Sequence, residues 1–242
     1  MKILIVGGSG GIGQALIQHF HTKYPDATIY ATYHSTEPDS TAWPVTTSAT
    51  KVHWYQVDIT QEADIAALAS ALPPLSLLIN AAGLLHHPKQ GPEKSITAFD
   101  PQFFADNVNT NTLSTLLLAK HFMPHLKASP RSHFIAFSAR IGSIEDNKVG
   151  GWISYRCAKA ALNMALKTIS IEWRFKLPHC CVLAFHPGTT DTALSAPFQK
   201  NVPAGKLFSP AYVAECLAQR IADTGPEDSG QFFSYDGKVI PW

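Results

Sequence analysis

Two kinds of apolar patterning alternate along the chain. Short, nearly unbroken runs rich in β-branched and aromatic residues fall at Lys2–Val6, Thr28–Tyr33, Val52–Val57, Leu75–Ile79, His133–Phe137, Cys180–Phe185 and Gln231–Ser234. Between most of them lie longer stretches with apolar positions at helical spacing: Gly11–Lys23, Gln61–Ala71, Gln102–Lys127, Trp152–Lys176 and Pro210–Asp223. Strands separated by helices predict βαβ units and therefore a parallel sheet. Because the strand runs are continuous rather than alternating, both faces of that sheet must be covered. The expectation is an α/β, doubly wound parallel sheet of about seven strands with helices on both faces. The stretches His34–Thr50, Leu84–Ala98 and Thr189–Ser209 read as long loops, and in such a sheet loops border the ligand crevice. No repeat or low-complexity tract divides the chain, so positions 1–242 read as one domain.

Composition narrows the function classes. The chain is 45% hydrophobic and 15% charged, against a usual charged share of about 25%, and its net charge is +1. That balance excludes disorder as the main state. No basic stripe is present, so neither nucleic acid nor an anionic membrane surface is an expected partner. No apolar run approaches the roughly 20 residues that span a bilayer. The opening Met1–Gly7 runs straight into glycines without a signal-peptide cleavage pattern, and a cytoplasmic location is expected. Cys157, Cys180, Cys181 and Cys216 show no metal spacing and read as reduced, structural thiols, with Cys180 and Cys181 on opposite strand faces. His86-His87 has no partner at ligand spacing, so no metal site is expected. Trp43, Trp54 and Trp173 read as packing residues.

The first strand ends in Gly7-Gly8-Ser9-Gly10-Gly11-Ile12-Gly13, with a helix following. Glycines there permit a tight turn, and the helix N-terminus offers free N–H groups and a positive dipole to a pyrophosphate. Between a strand and a helix, this is a dinucleotide signal, and it makes the expected sheet Rossmann-type. The tip of the second strand reads Thr32-Tyr33-His34-Ser35-Thr36, where an acid would bind the ribose of NAD. No acid stands there until Glu37, so NADP(H) is favoured over NAD(H), although no arginine is present to clamp a 2′-phosphate. Asp58-Ile59 ends the third strand, and Asp58 is also a plausible helix N-cap. Asn80-Ala81-Ala82-Gly83 ends the fourth, its small residues letting the chain pass close to a bound cofactor.

Tyr155 and Lys159 lie four apart on one helix face. An ammonium beside a phenol favours the phenolate, and carbonyl reduction needs a positioned proton donor beside a hydride donor. Through these residues the chain resembles the short-chain dehydrogenase/reductase family over essentially its whole length. Val6–Gly13 resembles its TGxxxGIG loop, Asn80–Gly83 its NNAG element, Tyr155–Lys159 its YxxxK pair, and Pro187-Gly188-Thr189-Thr190-Asp191-Thr192 its PGxxxT segment. Ser138–Ile144, Gly150-Gly151-Trp152 and the ending Tyr235–Trp242 resemble the C-factor and sniffer-like carbonyl reductase branch.

The resemblance implies roles. Asp58 would contact the adenine, and Pro187, Gly188, Thr190 and Thr192 would lie near the nicotinamide carboxamide. Asn111 would hold a proton-relay water, Tyr155 would donate the proton, and Lys159 would lower its pKa and hold the nicotinamide ribose. The family's carbonyl-binding serine falls, in strict register, on Ala139; Ser138 is the candidate for that role and Ser143 its rival. Ser154 reads as a helix-start residue. The segment around 189–208, with Phe198, Val202 and Phe208, reads as a lid over a partly hydrophobic small-molecule carbonyl or alcohol. Leu113, Leu116, Leu117, Phe122 and Met123 form an apolar stripe shared between core and a dimer or tetramer contact. A rival reading, motivated by Ala139 and the C-factor resemblance, is a nucleotide-binding regulatory protein with slow or no turnover.

Overall fold

The computed structural model describes residues 1–38 and 51–242; Trp43 and most of the loop expected over His34–Thr50 lie outside the described residues. In chain order the elements are β1 (Lys2–Val6), α1 (Gly11–Lys23), β2 (Thr28–Tyr33), β3 (Lys51–Gln56), α2 (Glu62–Ala71), β4 (Leu77–Asn80), α3 (Pro101–Val108), α4 (Ser114–Lys127), β5 (Ser132–Phe137), α5 (Ile153–Lys176), β6 (Cys180–His186), β7 (Thr189–Thr190), β8 (Leu207–Phe208), α6 (Pro210–Asp223) and β9 (Gln231–Ser234). Seven strands form one parallel sheet in the order β3-β2-β1-β4-β5-β6-β9, and β7 pairs with β8 separately. The chain therefore adds strands outward from β1 in one direction, then returns to β4 and adds the rest in the other.

Strand alternation divides the core in two. Leu4, Val6, Leu78, Phe134 and Val182 face one side and pack under α2, α4 and α5 with Leu118, Phe122 and Leu162. Ile3, Ile5, Ile79, Ile135 and Leu183 face the other and pack under α1 and α6 with Leu16, Phe20 and Leu217. Cys180 and Cys181 fall in opposite cores, as their adjacency on a strand requires, and both are free thiols. Trp173 is buried against Phe134. Leu117 and Phe122 are buried too, whereas Leu113 and Leu116 stay exposed, as do Met164, Ile171 and Phe175 of α5.

Local chemistry starts the helices where the sequence suggests. Asp100 accepts the Phe103 N–H at 2.8 Å and Ser209 accepts that of Tyr212 at 3.2 Å, each followed by proline in the first turn. Elsewhere the local structure differs from the expectation. The helix expected over Gln102–Lys127 is interrupted by a π-helical bulge, Asn109–Leu113, which carries Asn111. Gln61, not Asp58, precedes α2; the Asp58 carboxylate instead accepts the N–H and hydroxyl of Thr60 in a local turn.

Glycine is obligatory at position 13. A Cβ there would sit 2.2 Å from the Gly7 carbonyl oxygen, so α1 can approach β1 only without a side chain. Gly13→Ala should cost about 1–3 kcal/mol of stability, read from the urea midpoint; an unchanged midpoint would show that the turn yields instead.

Candidate active site

Beyond the carboxyl ends of β1, β2 and β4 opens a cavity of about 820 Å³. Its floor is the glycine loop. The Gly7 N–H donates to the Thr32 hydroxyl at 3.0 Å and the Gly10 N–H to the Gly7 carbonyl at 3.1 Å, which closes the turn. No side chain caps α1 and no acid occupies its first turn, so its N-terminal N–H groups and dipole meet the cavity uncompensated. Gly7, Ser9, Gly10, Gly11, Ile12 and Gly13 all line it.

At one end the wall is made by Tyr33, His34, Asp58 and Ile59. His34 Nε2 lies 3.9 Å from the Asp58 carboxylate, an exposed and weak pairing. Hydrogen bonding from Thr60 holds the Asp58 carboxyl below its usual range. The Tyr33 hydroxyl reaches Glu37 at 3.5 Å. In the middle, Ala81, Ala82 and Gly83 line the cavity while Asn80 stands behind them. Asn80 donates to Thr115 at 2.9 Å and accepts the Ala82 N–H at 3.1 Å, so its amide shapes the turn rather than the surface.

Tyr155 and Lys159 line the other end with Phe137 and Ser138. The Lys159 ammonium donates to the Phe137 carbonyl at 2.8 Å and lies 5.7 Å from the Tyr155 ring centroid. Burial lowers the Lys159 pKa to about 7 and pushes the Tyr155 phenol well above its ordinary value. Desolvation thus works against the charged form of both groups.

The serines are engaged elsewhere. Ser138 lines the cavity, but its hydroxyl proton goes to Asn163 Oδ1 at 2.5 Å, leaving lone pairs rather than a donor. Ser143 is buried away from the cavity wall, accepting the Asp146 N–H at 3.1 Å and donating to the Trp242 carbonyl at 3.4 Å. Asn111 is also set back. Its amide donates to the Leu84 carbonyl at 2.8 Å and accepts the Leu84 N–H at 3.1 Å, clamping the turn after Gly83.

Pro187 and Thr192 line the cavity, joined by Ala193 and Leu194 of the following segment; Gly188 and the buried Thr190 are not part of its wall. Several wall residues carried no motif: Thr32, His87, Asp106, Asn109 and Thr110. His87, unassigned in the sequence, pairs with Asp106 at 3.1 Å. Its place just past the β4 tip was the one signal for it. Asp106 gave none, because only the packing of α3 brings it there.

Comparison with known proteins decides the family. Residues 1–203 match the short chain dehydrogenase family. The chain belongs to the short-chain dehydrogenases. C-signal of Myxococcus xanthus is 32% identical over 171 residues, covering 70% of this chain and 93% of that protein. Among solved structures, the NADPH-bound carbonyl reductase from chicken fatty liver superimposes with a TM-score of 0.85 at 24% identity, covering 100% of this chain and 94% of that one. The carbonyl reductase Sniffer of D. melanogaster gives 0.84 at 24% identity, covering 100% and 99%. These likenesses establish the fold of this short-chain dehydrogenase as that of carbonyl reductases. No described helix is long and apolar enough to cross a membrane, and no group of three or more described His, Cys, Asp or Glu residues could hold a metal.

The buried lysine gives a stability signature. Its folded pKa of about 7 lies below the ordinary 10.5, so the unfolded chain binds the extra proton between those values. Stability of the nucleotide-free protein should therefore rise with pH above 7, by up to about 1.4 kcal/mol per unit. The window closes near pH 9, where burial-raised Cys180 and Cys181 begin to oppose it. Lys159→Met should flatten the rise in denaturant titrations between about pH 7 and about pH 8.5. Equal slopes in the two proteins would refute the assignment.

Proposed function

We propose that this short-chain dehydrogenase is an NADP(H)-dependent oxidoreductase that interconverts a small-molecule carbonyl and its alcohol. The observation that carries the reading is that Tyr155 and Lys159 line the same cavity as the uncapped start of α1. A site for a long anionic ligand and a proton-transfer pair are thus one space.

The residues present fit a dinucleotide. The Gly7–Gly13 loop would hold the pyrophosphate, Asp58 and Ile59 the adenine, and Tyr33 and His34 the adenosine ribose. Ala81, Ala82 and Gly83 would flank the chain's middle, Lys159 the nicotinamide ribose, and Pro187, Gly188, Thr190 and Thr192 the carboxamide. His34 in place of an acid at the β2 tip favours the 2′-phosphate form, and the chicken carbonyl reductase with which the fold superimposes binds NADPH. When bound, the nicotinamide supplies or accepts the hydride.

The chain's own residues manage the proton. Tyr155 donates to the developing alkoxide through its phenol oxygen. Charged Lys159 stabilises the resulting phenolate, which burial otherwise disfavours. Asn111, against the turn beside Lys159, would complete a relay through a water to solvent. Ser138 contributes to carbonyl orientation less than Tyr155, since its proton is directed to Asn163. Apolar lid residues support a partly hydrophobic substrate, and the exposed apolar positions of α4 and α5 support a homodimer or homotetramer.

Titration with NADPH and NADH, then NADPH consumption against aldehydes, ketones and quinones, tests the reading. Binding of NADPH with turnover on the panel is expected; no binding of either nucleotide would sink it. Tyr155→Phe should lower kcat by about 10²–10⁴-fold while sparing NADPH affinity. Ser138→Ala should cost less than about tenfold, or roughly 1.4 kcal/mol. A Ser138→Ala loss as large as that of Tyr155→Phe would restore the serine to the carbonyl.

A further inference from the structure

The chain enters α5 through three consecutive left-handed residues: Gly150 (φ 70°), Gly151 (φ 68°) and Trp152 (φ 54°). Glycines adopt this conformation freely, but a bulky aromatic does not, and Trp152 is the one non-glycine with positive φ among the described residues. Surrounding contacts must impose it. From one side Arg156 does so, donating to the carbonyls of Gly151 at 2.9 Å, Gly150 at 3.1 Å and Ile141 at 3.3 Å.

From the other side the grip comes from Glu93, 4% exposed in the loop after β4. Its main-chain carbonyl accepts the Trp152 N–H at 2.5 Å. Its carboxylate accepts the Ser154 N–H at 3.2 Å and also the Ser154 hydroxyl. A buried carboxylate is costly unless hydrogen-bonded, and here it also meets the positive end of the α5 dipole. The two residues it holds flank Ile153, and the next residue is Tyr155. The Trp152 ring lies 6.5 Å from that of Tyr155 and 4.9 Å from Phe198 of the lid segment, with Phe198 5.7 Å from His86. Glu93 thus ties the loop after β4 to the first turn of α5, through its carboxylate at Ser154 and its main chain at Trp152, whose ring in turn touches Phe198.

We propose that Glu93 is a positioning residue for Tyr155, holding Trp152–Ser154 in the left-handed lead-in that sets the phenol toward the substrate. This rests on the reading of Tyr155 as proton donor. A residue that merely supports the fold would affect cofactor binding and turnover together, whereas a positioning residue separates them.

The experiment compares wild type, Glu93→Ala, Glu93→Gln and Ser154→Ala by kcat, KM for a carbonyl that wild type reduces, NADPH Kd and amide hydrogen exchange. Glu93→Ala should lower kcat at least about 30-fold, equivalent to roughly 2 kcal/mol, with NADPH Kd within about twofold. Glu93→Gln keeps an acceptor for the Ser154 N–H and should recover most of that loss. Exchange should quicken over 152–155 and stay unchanged in the glycine loop. An unchanged kcat, or a loss of NADPH affinity in parallel with kcat, would overturn the proposal. If Glu93→Ala does not fold, Ser154→Ala decides: wild-type kcat and exchange would overturn it, and a kcat loss with intact NADPH binding would support it. If wild type binds NADPH but reduces nothing, the reductase reading fails. Exchange over 152–155 in the variants then decides whether Glu93 holds the lead-in, faster local exchange supporting it and unchanged exchange overturning it.

Discussion

Between β1 and β4 the chain reverses the direction in which it adds strands, and every functional feature of this molecule follows from that reversal. The connections leaving β1 and β4 diverge to opposite sides, so their carboxyl ends cannot be bridged by a covering segment. A crevice is the geometric remainder. The sheet needs hydrophobic cover on both faces, which fixes the helices, but it leaves this one edge uncovered. Close packing of α1 on β1 through Gly13 then aims the helix start into the gap.

The cost of a sheltered crevice falls on its ionisable groups. Lys159 and Tyr155 are placed where water is scarce, and desolvation favours the neutral form of each. Burial alone leaves the pair the reverse of poised: an ammonium that loses its proton near neutrality and a phenol that keeps its own. Anything that returns a favourable field to the site, such as hydrogen-bonding hydroxyls beside Lys159, would shift the balance back towards the charged lysine.

What could be read from the sequence divides along the same line. The strands, the helices, the glycine turn and the Tyr155–Lys159 spacing were legible, because each depends on residues close together in the chain. The π-helical bulge that sets Asn111 against Leu84 was not, since helical periodicity continues through it. Nor were Asp106 and Glu93, whose significance comes from partners 19 and 61 positions away. The orientation of Ser138 belongs with these. Its residue type suggested a donor to substrate, yet its direction is set by Asn163, 25 residues on. Local pattern identifies which groups can do chemistry, and long-range packing decides where they point.

The serine also bears on how the chemistry is shared. A carbonyl oxygen becoming an alkoxide is stabilised by whatever donors are aimed at it before the charge develops. Ser138 gives its proton to Asn163, Ser143 is engaged at Trp242, Ser154 is held by Glu93, and Lys159 donates to Phe137. Of the donors at this end of the cavity, the Tyr155 hydroxyl is the one with no such engagement among the described residues. In a site with several donors, a small displacement of one is buffered by the others. In the proposed reaction the work is concentrated on one phenol, so the accuracy of its placement carries more of the barrier. In that reading the left-handed Trp152, three residues before Tyr155, and the Glu93 carboxylate, bonded to the adjacent Ser154, hold the start of α5 rigid where rigidity counts most.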